Sequence, residues 1–339
     1  MQNLTAVSSR VRLARNFTDF PFDLTKRPED AEAIVQRTVN ALAAEGMGDA
    51  FHFFPVRELT EGVRRFFAES HLISEDLLRH AEVGAVLMDE THGVSVMMLE
   101  DDHLRIQALE YGDDVRSAAG KVLALDDTLS RQLNFAFDRE LGYLTACPTD
   151  TGTGMRASMQ VHLPLLTYFK QMGSVGQTVA KVGLNIRGVY GEGSEALGSL
   201  YQISNQATLG RTEQEIINTV VTVGNQLAEM EEALRARIMD EQRTQTEDKV
   251  YRAFGTLNSA RLLPLKEFYE LWSTVRLGML LGLIRRDLPL MDGLIKNVQE
   301  RHLAGYAERP LTKEETNMTR ALRVRETLRE AGITEQDGE

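Results

Sequence analysis

Apolar residues recur along this chain with two periods, and the change from one to the other organises it. Residues 28–45 carry apolar positions at helical spacing, begin after Arg27 and Pro28, and stop at Gly46, which predicts a helix with a left-handed glycine beyond its end. Short apolar or alternating runs at 86–88, 94–98, 106–109 and 145–147 predict strands separated by turns. The run SSRVRLAR at 8–15, read as a strand, places Arg10 and Arg12 on one face. After Thr212 the helical period returns. The sequence TEQE at 212–215 is a capping-box pattern, and Val220, Val223, Leu227, Met230, Leu234 and Ile238 follow at helical intervals. The polar run 244–248 either continues that helix or marks its weakest part, and 257–335 shows amphipathic helices without a strand signal. The chain therefore divides into a mixed region, 1–250, and a helix-only region, 255–339, with the boundary near 245–258.

Composition narrows the class. At 339 residues, 42% hydrophobic and 26% charged, the chain has an ordinary globular make-up with room for two domains. A net charge of -12 argues against nucleic acid as the main partner, which needs a basic footprint, and favours attraction of arginine-rich substrates. The one cysteine excludes an intramolecular disulfide and suits a reducing compartment. No stretch is long and apolar enough to span a bilayer, and no signal peptide is evident, so a cytoplasmic location without membrane partners is expected.

Four segments carry candidate chemistry. The run CPTDTGTGMRAS at 147–158 joins a lone cysteine, a loop of small residues and Arg156. Glycines let backbone amides approach an anion and arginine adds a forked cation, but no Gly-Lys-Ser/Thr follows, so this is not a Walker loop. Arg10 and Arg12 can grip one polyphosphate together. The run MLEDDHLRIQ at 98–107 sets Glu100, Asp101 and Asp102 beside His103 and Arg105, and RGVYGEGSE at 187–195 is a glycine-punctuated loop with Glu192 and Glu195. Taken singly, alternating arginines read as a solvated strand face, the acidic triplet as an exposed turn and the 213–240 stripe as core. Together, arginines for phosphate and carboxylates for a cation describe phosphoryl transfer to a positively charged acceptor.

These segments, in this order, resemble the guanidino phosphotransferase (phosphagen kinase) family over roughly residues 8–220, including ISNQATLG at 203–210. Within it the likeness is to the bacterial branch that acts on arginine in proteins. The chain begins almost at Ser8, leaving no room for the small helical domain that covers the site in metabolite kinases, and about eighty helical residues follow the catalytic region. The resemblance implies an α+β fold, a largely antiparallel sheet flanked by helices of glutamine-synthetase-like type, followed by an all-helical C-terminal domain. It implies ATP and Mg²⁺, with Ser9, Arg10, Arg12, His71, Arg105, Arg156 and Arg187 at nucleotide-binding positions. Glu100 and Asp102 would act on Mg²⁺ through its waters, Cys147 would lie against the guanidino group, and Asp101 and Glu192 would orient and deprotonate it. A guanidinium needs such carboxylates because it keeps its proton far above neutral pH.

Three segments depart from the family pattern. Asn-Glu-Glu-Asp becomes Leu99-Glu100-Asp101-Asp102, which shortens the catalytic acid by one methylene; Gln160 replaces a histidine near the adenine; and an Arg-Asp-x-x-Arg-Ala phosphoarginine motif survives only as Arg320 and Ala321 after Thr316 and Asn317. The implied partners are arginine-containing protein substrates, a zinc-binding activator and a Clp-type protease in a stress response. A homodimer is expected through the helical region, where Leu277, Met279, Leu280, Leu281 and Leu283 would otherwise be an exposed apolar patch. Two other readings are a kinase of free arginine or another small guanidino compound, and a nucleotide-binding pseudokinase or adaptor.

Overall fold

The computed structural model describes residues 3–22, 28–91, 93–189 and 196–335. The strands are β1 (Ala6–Arg15), β2 (Phe51–Pro55), β3 (Ala85–Asp89), β4 (Val94–Met98), β5 (Leu104–Tyr111), β6 (Phe137–Asp138), β7 (Gly142–Tyr143), β8 (Met155–His162), β9 (Leu184–Gly188) and β10 (Leu200–Asn205). Eight of them form one antiparallel sheet, ordered β2-β3-β4-β5-β1-β8-β10-β9, while β6 and β7 make a separate hairpin. Helices α1 (Pro28–Ala44), α2 (Glu61–Glu69), α3 (Glu75–Arg79), α4 (Val115–Ser130), α5 (Pro164–Tyr168) and α6 (Met172–Lys181) lie between strands. The long α7 (Glu213–Ser259) leads into α8 (Leu265–Leu280), α9 (Leu288–Asn297), α10 (Glu300–Tyr306) and α11 (Lys313–Glu330).

Side-chain alternation gives the sheet two unlike faces. Val11 and Leu13 of β1, Ile106 of β5, and Ala157 and Met159 of β8 point to one side, where they pack under α1, α4 and α7 in the main core. The other side carries Ser8, Arg10 and Arg12. At the β3–β4 end, Val86, Met88 and Met97 on that second side are covered by Val56, Leu72 and Leu77.

The helical region closes the opposite end of the polar face. Its core, centred on the fully buried Trp272, includes Val7 and Leu200 of the sheet. Arg276 is buried at the junction: Nε and Nη2 donate to the two Asp292 oxygens at 2.7 and 3.0 Å, and Nη1 donates to the Leu4 carbonyl at 3.2 Å. His162, buried against Ser273 at 2.8 Å, is held neutral by burial and by the Arg276 charge.

Two expectations are corrected here. Residues 145–147 are a loop rather than a strand: the Thr145 hydroxyl donates to the Cys147 carbonyl, and the Ala146 amide donates to Asp102, leaving no ladder to join. The apolar run at 277–284 offers no exposed patch, because Leu277, Met279, Leu283 and Ile284 are buried within the chain's own core, which removes the argument for a homodimer drawn from it. The polar run 244–248 continues α7, which departs from helical geometry at Gln242 (φ -141°, ψ 37°) and has no linker between 245 and 258. No helix among the described residues is long and apolar enough to cross a membrane.

Candidate active site

Strand register builds the site in rows across the polar face. Ser8 of β1 pairs with Gln160 of β8, Gln160 with Gln202 of β10, and Gln202 with Arg187 of β9. Two residues along β1, Arg10 faces Leu109 and Ser158; two further on, Arg12 faces Gln107 and Arg156; then Ala14 faces Arg105. Rows two residues apart are separated by roughly 7 Å, so Ser8 to Arg105 spans about 20 Å. One polar lane thus runs from a hydroxyl-and-amide end to a cluster of arginines and acids.

The arginines crowd one another. Glu100 pairs with Arg105, and Asp150 with Arg156 at 3.2 Å. Arg12 has no such ion pair among the described residues, and its buried Nε makes no hydrogen bond among them. Burial, and then the charges of Arg10, Arg105 and Arg156, pull the Arg12 guanidinium well below the usual arginine range, with Glu100 opposing. A fixed cation disfavoured by its surroundings is stabilised by any anion that enters, so the array is built for a polyanion.

The acidic turn at 99–103 sorts its three carboxylates. Glu100 is buried; burial by itself would raise its pKa, but the Arg105 charge and hydrogen bonds from Ser74 and Arg105 hold it below the usual carboxylate range. Asp102 is also buried, accepting from Asn16 Nδ2 at 2.6 Å and the Ala146 amide at 2.7 Å; burial outweighs these bonds and raises it. Asp101 alone of the three is exposed, and its carboxylate accepts no hydrogen bond among the described residues. The turn is held by the Leu99 amide donating to the His103 carbonyl at 2.9 Å and by Asn16, whose Oδ1 accepts from the His103 amide. Leu99 adopts φ 64°, a left-handed conformation that disfavours a leucine by about 1 kcal/mol and suits asparagine better. His103 is structural: its Nδ1 accepts from the Phe17 amide, and phenylalanine rings surround it.

The loop leading into β8 brings Cys147 and Asp150 to the same end. Cys147 is exposed, with Sγ 3.0 Å from Thr149 Oγ1. Gly154 (φ 65°) has to be glycine, since a Cβ there would lie 2.6 Å from the Ala14 carbonyl oxygen. Beneath the loop, the buried Arg15 grips Asp126 through Nε and Nη2 at 2.9 and 2.7 Å and lies over the Tyr143 ring.

Arg10, Arg12, Arg105, Arg156, Glu100, Asp101 and Cys147 therefore converge, and Arg187 joins the far row with Nη2 donating to Gln202 at 3.1 Å. Ser9 does not: its buried hydroxyl donates to the Gly112 carbonyl at 2.7 Å on the other side of the strand, and Ser8 takes the groove position. His71 lines a crevice with Ser8, Arg10 and Gln160; burial, then the charges of Arg10, Lys296 and Arg12, lower its pKa to about 4. Glu192 lies outside the described residues. Arg320 is far from this face and is buried, donating from Nε to the Val298 carbonyl and from Nη1 to the Leu263 carbonyl and Asn317 Oδ1, so these nitrogens are engaged within the helical region. Asp150 and Asn16 were not singled out from the sequence; Asp150, six residues before Arg156 in the same motif, offered a local signal, whereas Asn16 offered none.

Two family profiles divide the chain. The one described as ATP:guanido phosphotransferase, C-terminal catalytic domain, matches residues 33–234, and the one described as Protein-arginine kinase McsB C-terminal domain matches residues 243–338. A curated Protein-arginine kinase from Moorella thermoacetica is 41% identical over 327 residues, covering 95% of this chain and 93% of the relative. Those from Caldanaerobacter subterraneus and Geobacillus stearothermophilus are 38% and 40% identical, covering 93% and 95% of this chain and 94% and 90% of theirs. Among solved structures, a lombricine kinase shares the fold with a TM-score of 0.62 at 22% identity, over 71% of this chain and 70% of that one. A duplicated taurocyamine kinase from Schistosoma mansoni gives 0.63 at 24% identity, over 74% and 38%.

Proposed function

The chain belongs to the ATP:guanido phosphotransferase family, in its protein-arginine kinase branch, and on that premise we propose that it transfers the γ-phosphoryl group of ATP to arginine side chains of proteins. The observation that carries the reading is the array of four crowded arginines, one of them without an ion pair among the described residues, ending beside the one carboxylate of the acidic turn that accepts no hydrogen bond among those residues. Phosphoryl transfer develops negative charge on the equatorial oxygens, and guanidinium groups already fixed in place stabilise that charge without reorganising.

Triphosphate laid along Arg10, Arg12 and Arg156 puts its terminal phosphorus toward Arg105 and Asp101 and leaves the nucleoside at the Ser8–Gln160–His71 end. Asp101, exposed and without an ion pair among the described residues, is then placed to orient the incoming guanidinium and accept its proton, with Glu192 proposed as a second carboxylate. Glu100 is unsuited to that task because Arg105 holds it. Mg²⁺, when bound, neutralises phosphate charge. Oxygens of Asp76, Glu100 and Asp101 lie within 4.8 Å of one another and fit a cation, but Arg79 and Arg105 already pair with two of these acids, which favours contact through its water shell.

The test is incubation with ATP, Mg²⁺ and an arginine-rich protein, read by mass spectrometry for acid-labile phosphate on arginine. Phosphate found only on added free arginine, or on neither acceptor, would sink the proposal. A zinc-binding activator and a Clp-type protease reading phosphoarginine are carried as family inferences, and affinity capture with a phosphoarginine-bearing substrate checks the second.

A further inference from the structure

The helical region does more than close the end of the sheet. Two crevices share Ser8, His71, Leu109 and Gln160: one continues onto the sheet face toward Arg10, and the other runs to α9 and ends at Lys296. They form one passage from the arginine lane to the helical region.

The carboxylates along the second crevice are already engaged. Both oxygens of Asp292, one helical turn before Lys296, accept from Arg276 at 2.7 and 3.0 Å. Glu69 accepts from the Arg301 amide at 2.9 Å and approaches His302 Nδ1 at 3.2 Å. This junction is built: the His302 ring lies 4.3 Å from that of Phe66, and its Nε2 is 3.1 Å from Ser70 Oγ. Lys296 is left half-buried, and its ammonium makes no ion pair or hydrogen bond among the described residues. Burial lowers its pKa, and its charge acts on His71.

We propose that Lys296 of the helical region completes the nucleotide pocket, donating a hydrogen bond to the nucleoside part of the bound nucleotide. This rests on the kinase reading above. The row order fixes which part is met: phosphates over Arg10, Arg12 and Arg156 direct the base and ribose toward Gln160, His71 and then Lys296. Both moieties carry acceptors for an ammonium donor, the ring nitrogens of the base and the ribose oxygens. A residue of the helical region thereby reads the nucleotide bound on the catalytic sheet.

Calorimetric titration of the full-length protein with ADP and with inorganic tripolyphosphate, both in Mg²⁺, tests this. Lys296→Met should weaken ADP binding about tenfold, as the loss of one charge-assisted hydrogen bond implies, and raise KM for ATP more than it lowers kcat. Tripolyphosphate affinity should stay at the parent value, and Lys296→Arg should recover most of the ADP affinity. Parent-like ADP binding by Lys296→Met overturns the proposal alone. An equal loss of tripolyphosphate binding overturns it too, because the lysine would then act on phosphate or on folding. A parent protein that binds neither ligand overturns the kinase reading and this inference with it.

Discussion

Replacing Asp101 by asparagine removes one negative charge from the acidic turn while keeping side-chain size, and the structure separates its effect on chemistry from its effect on folding. Asp101 is exposed and its carboxylate accepts no hydrogen bond among the described residues, so Asp101→Asn should change stability by no more than about 0.5 kcal/mol. A carboxylate acting as general base contributes roughly 10²–10⁴ in rate, and the lower bound corresponds to about 2.7 kcal/mol of transition-state stabilisation. Asp101→Asn is therefore expected to lower kcat at least about a hundredfold, with unchanged melting temperature and ADP affinity. Glu100→Gln gives the contrasting pattern. It leaves the mostly buried Arg105 without its partner, a change that costs about 3–5 kcal/mol in a buried pair, so stability and activity should fall together. Asp101→Glu restores the family's longer reach and should keep or raise the rate. Rates come from radiolabelled phosphate transfer to an arginine-rich protein, and stabilities from denaturant melts of the same preparations. If Asp101→Asn phosphorylates as fast as the parent, Asp101 is not the base and the assignment of roles within this turn is refuted.

Three further outcomes follow from the charge arrangement. Arg12→Met relieves repulsion among partly buried guanidinium groups, so it should raise the ligand-free melting temperature while weakening ADP binding about tenfold or more; a drop in both refutes the view of Arg12 as a cation held for a ligand. Arg276→Met strands Asp292 in the interior and should cost about 3–5 kcal/mol in denaturant melts, most of it recovered by adding Asp292→Leu; a single variant as stable as the parent denies the junction its role. Glu231 is buried, and burial raises its pKa to about 7 even though the Leu166 and Leu165 amides donate to it. Because the folded state holds that proton more tightly than the unfolded state, its stabilising effect is full below about pH 4.5 and lost as pH rises through about 7, on the order of 3 kcal/mol in all. Glu231→Gln should thus gain stability relative to the parent between pH 5 and 8, and a difference that stays flat across that window counts against the raised value.

Local periodicity carried much of the fold. β1, β4, β5, α1 and the capped start of α7 lie where alternation or helical spacing puts them, because each buries one face of a regular element. What failed was decided by distant partners. Residues 145–147 have strand-like composition, yet Asp102, more than forty positions earlier in the chain, captures the Ala146 amide. The leucines near 280 have no local sign of burial, since part of what covers them is Val7 and Leu200 at the end of the sheet. Ser9 is a different kind of miss. Period-two alternation from Arg10 places Ser8, not Ser9, on the ligand face, so parity alone would have corrected it.

The candidate site was legible as a set of residue types and much less as a division of labour. Glu100, Asp101 and Asp102 are adjacent carboxylates, and nothing in that string ranks them. Tertiary partners do: Arg105 neutralises the first, Asn16 and the Ala146 amide hold the third, and the middle one is left facing solvent. The same logic runs through the cations. Arg15 and Arg276 have buried guanidinium groups paired with Asp126 and Asp292, and the buried Arg320 donates to the Val298 and Leu263 carbonyls, so these three tie the fold together. Arg12 and Lys296 are sheltered as well, but neither is neutralised by an ion pair among the described residues; Arg12 lies in the polar lane and Lys296 at the end of the crevice that continues from it. An unneutralised charge in a sheltered place costs folding energy, and binding an oppositely charged or hydrogen-bond-accepting ligand recovers it. Arg12 and Lys296, which have no ion pair among the described residues, are therefore groups through which ligand binding should report on stability.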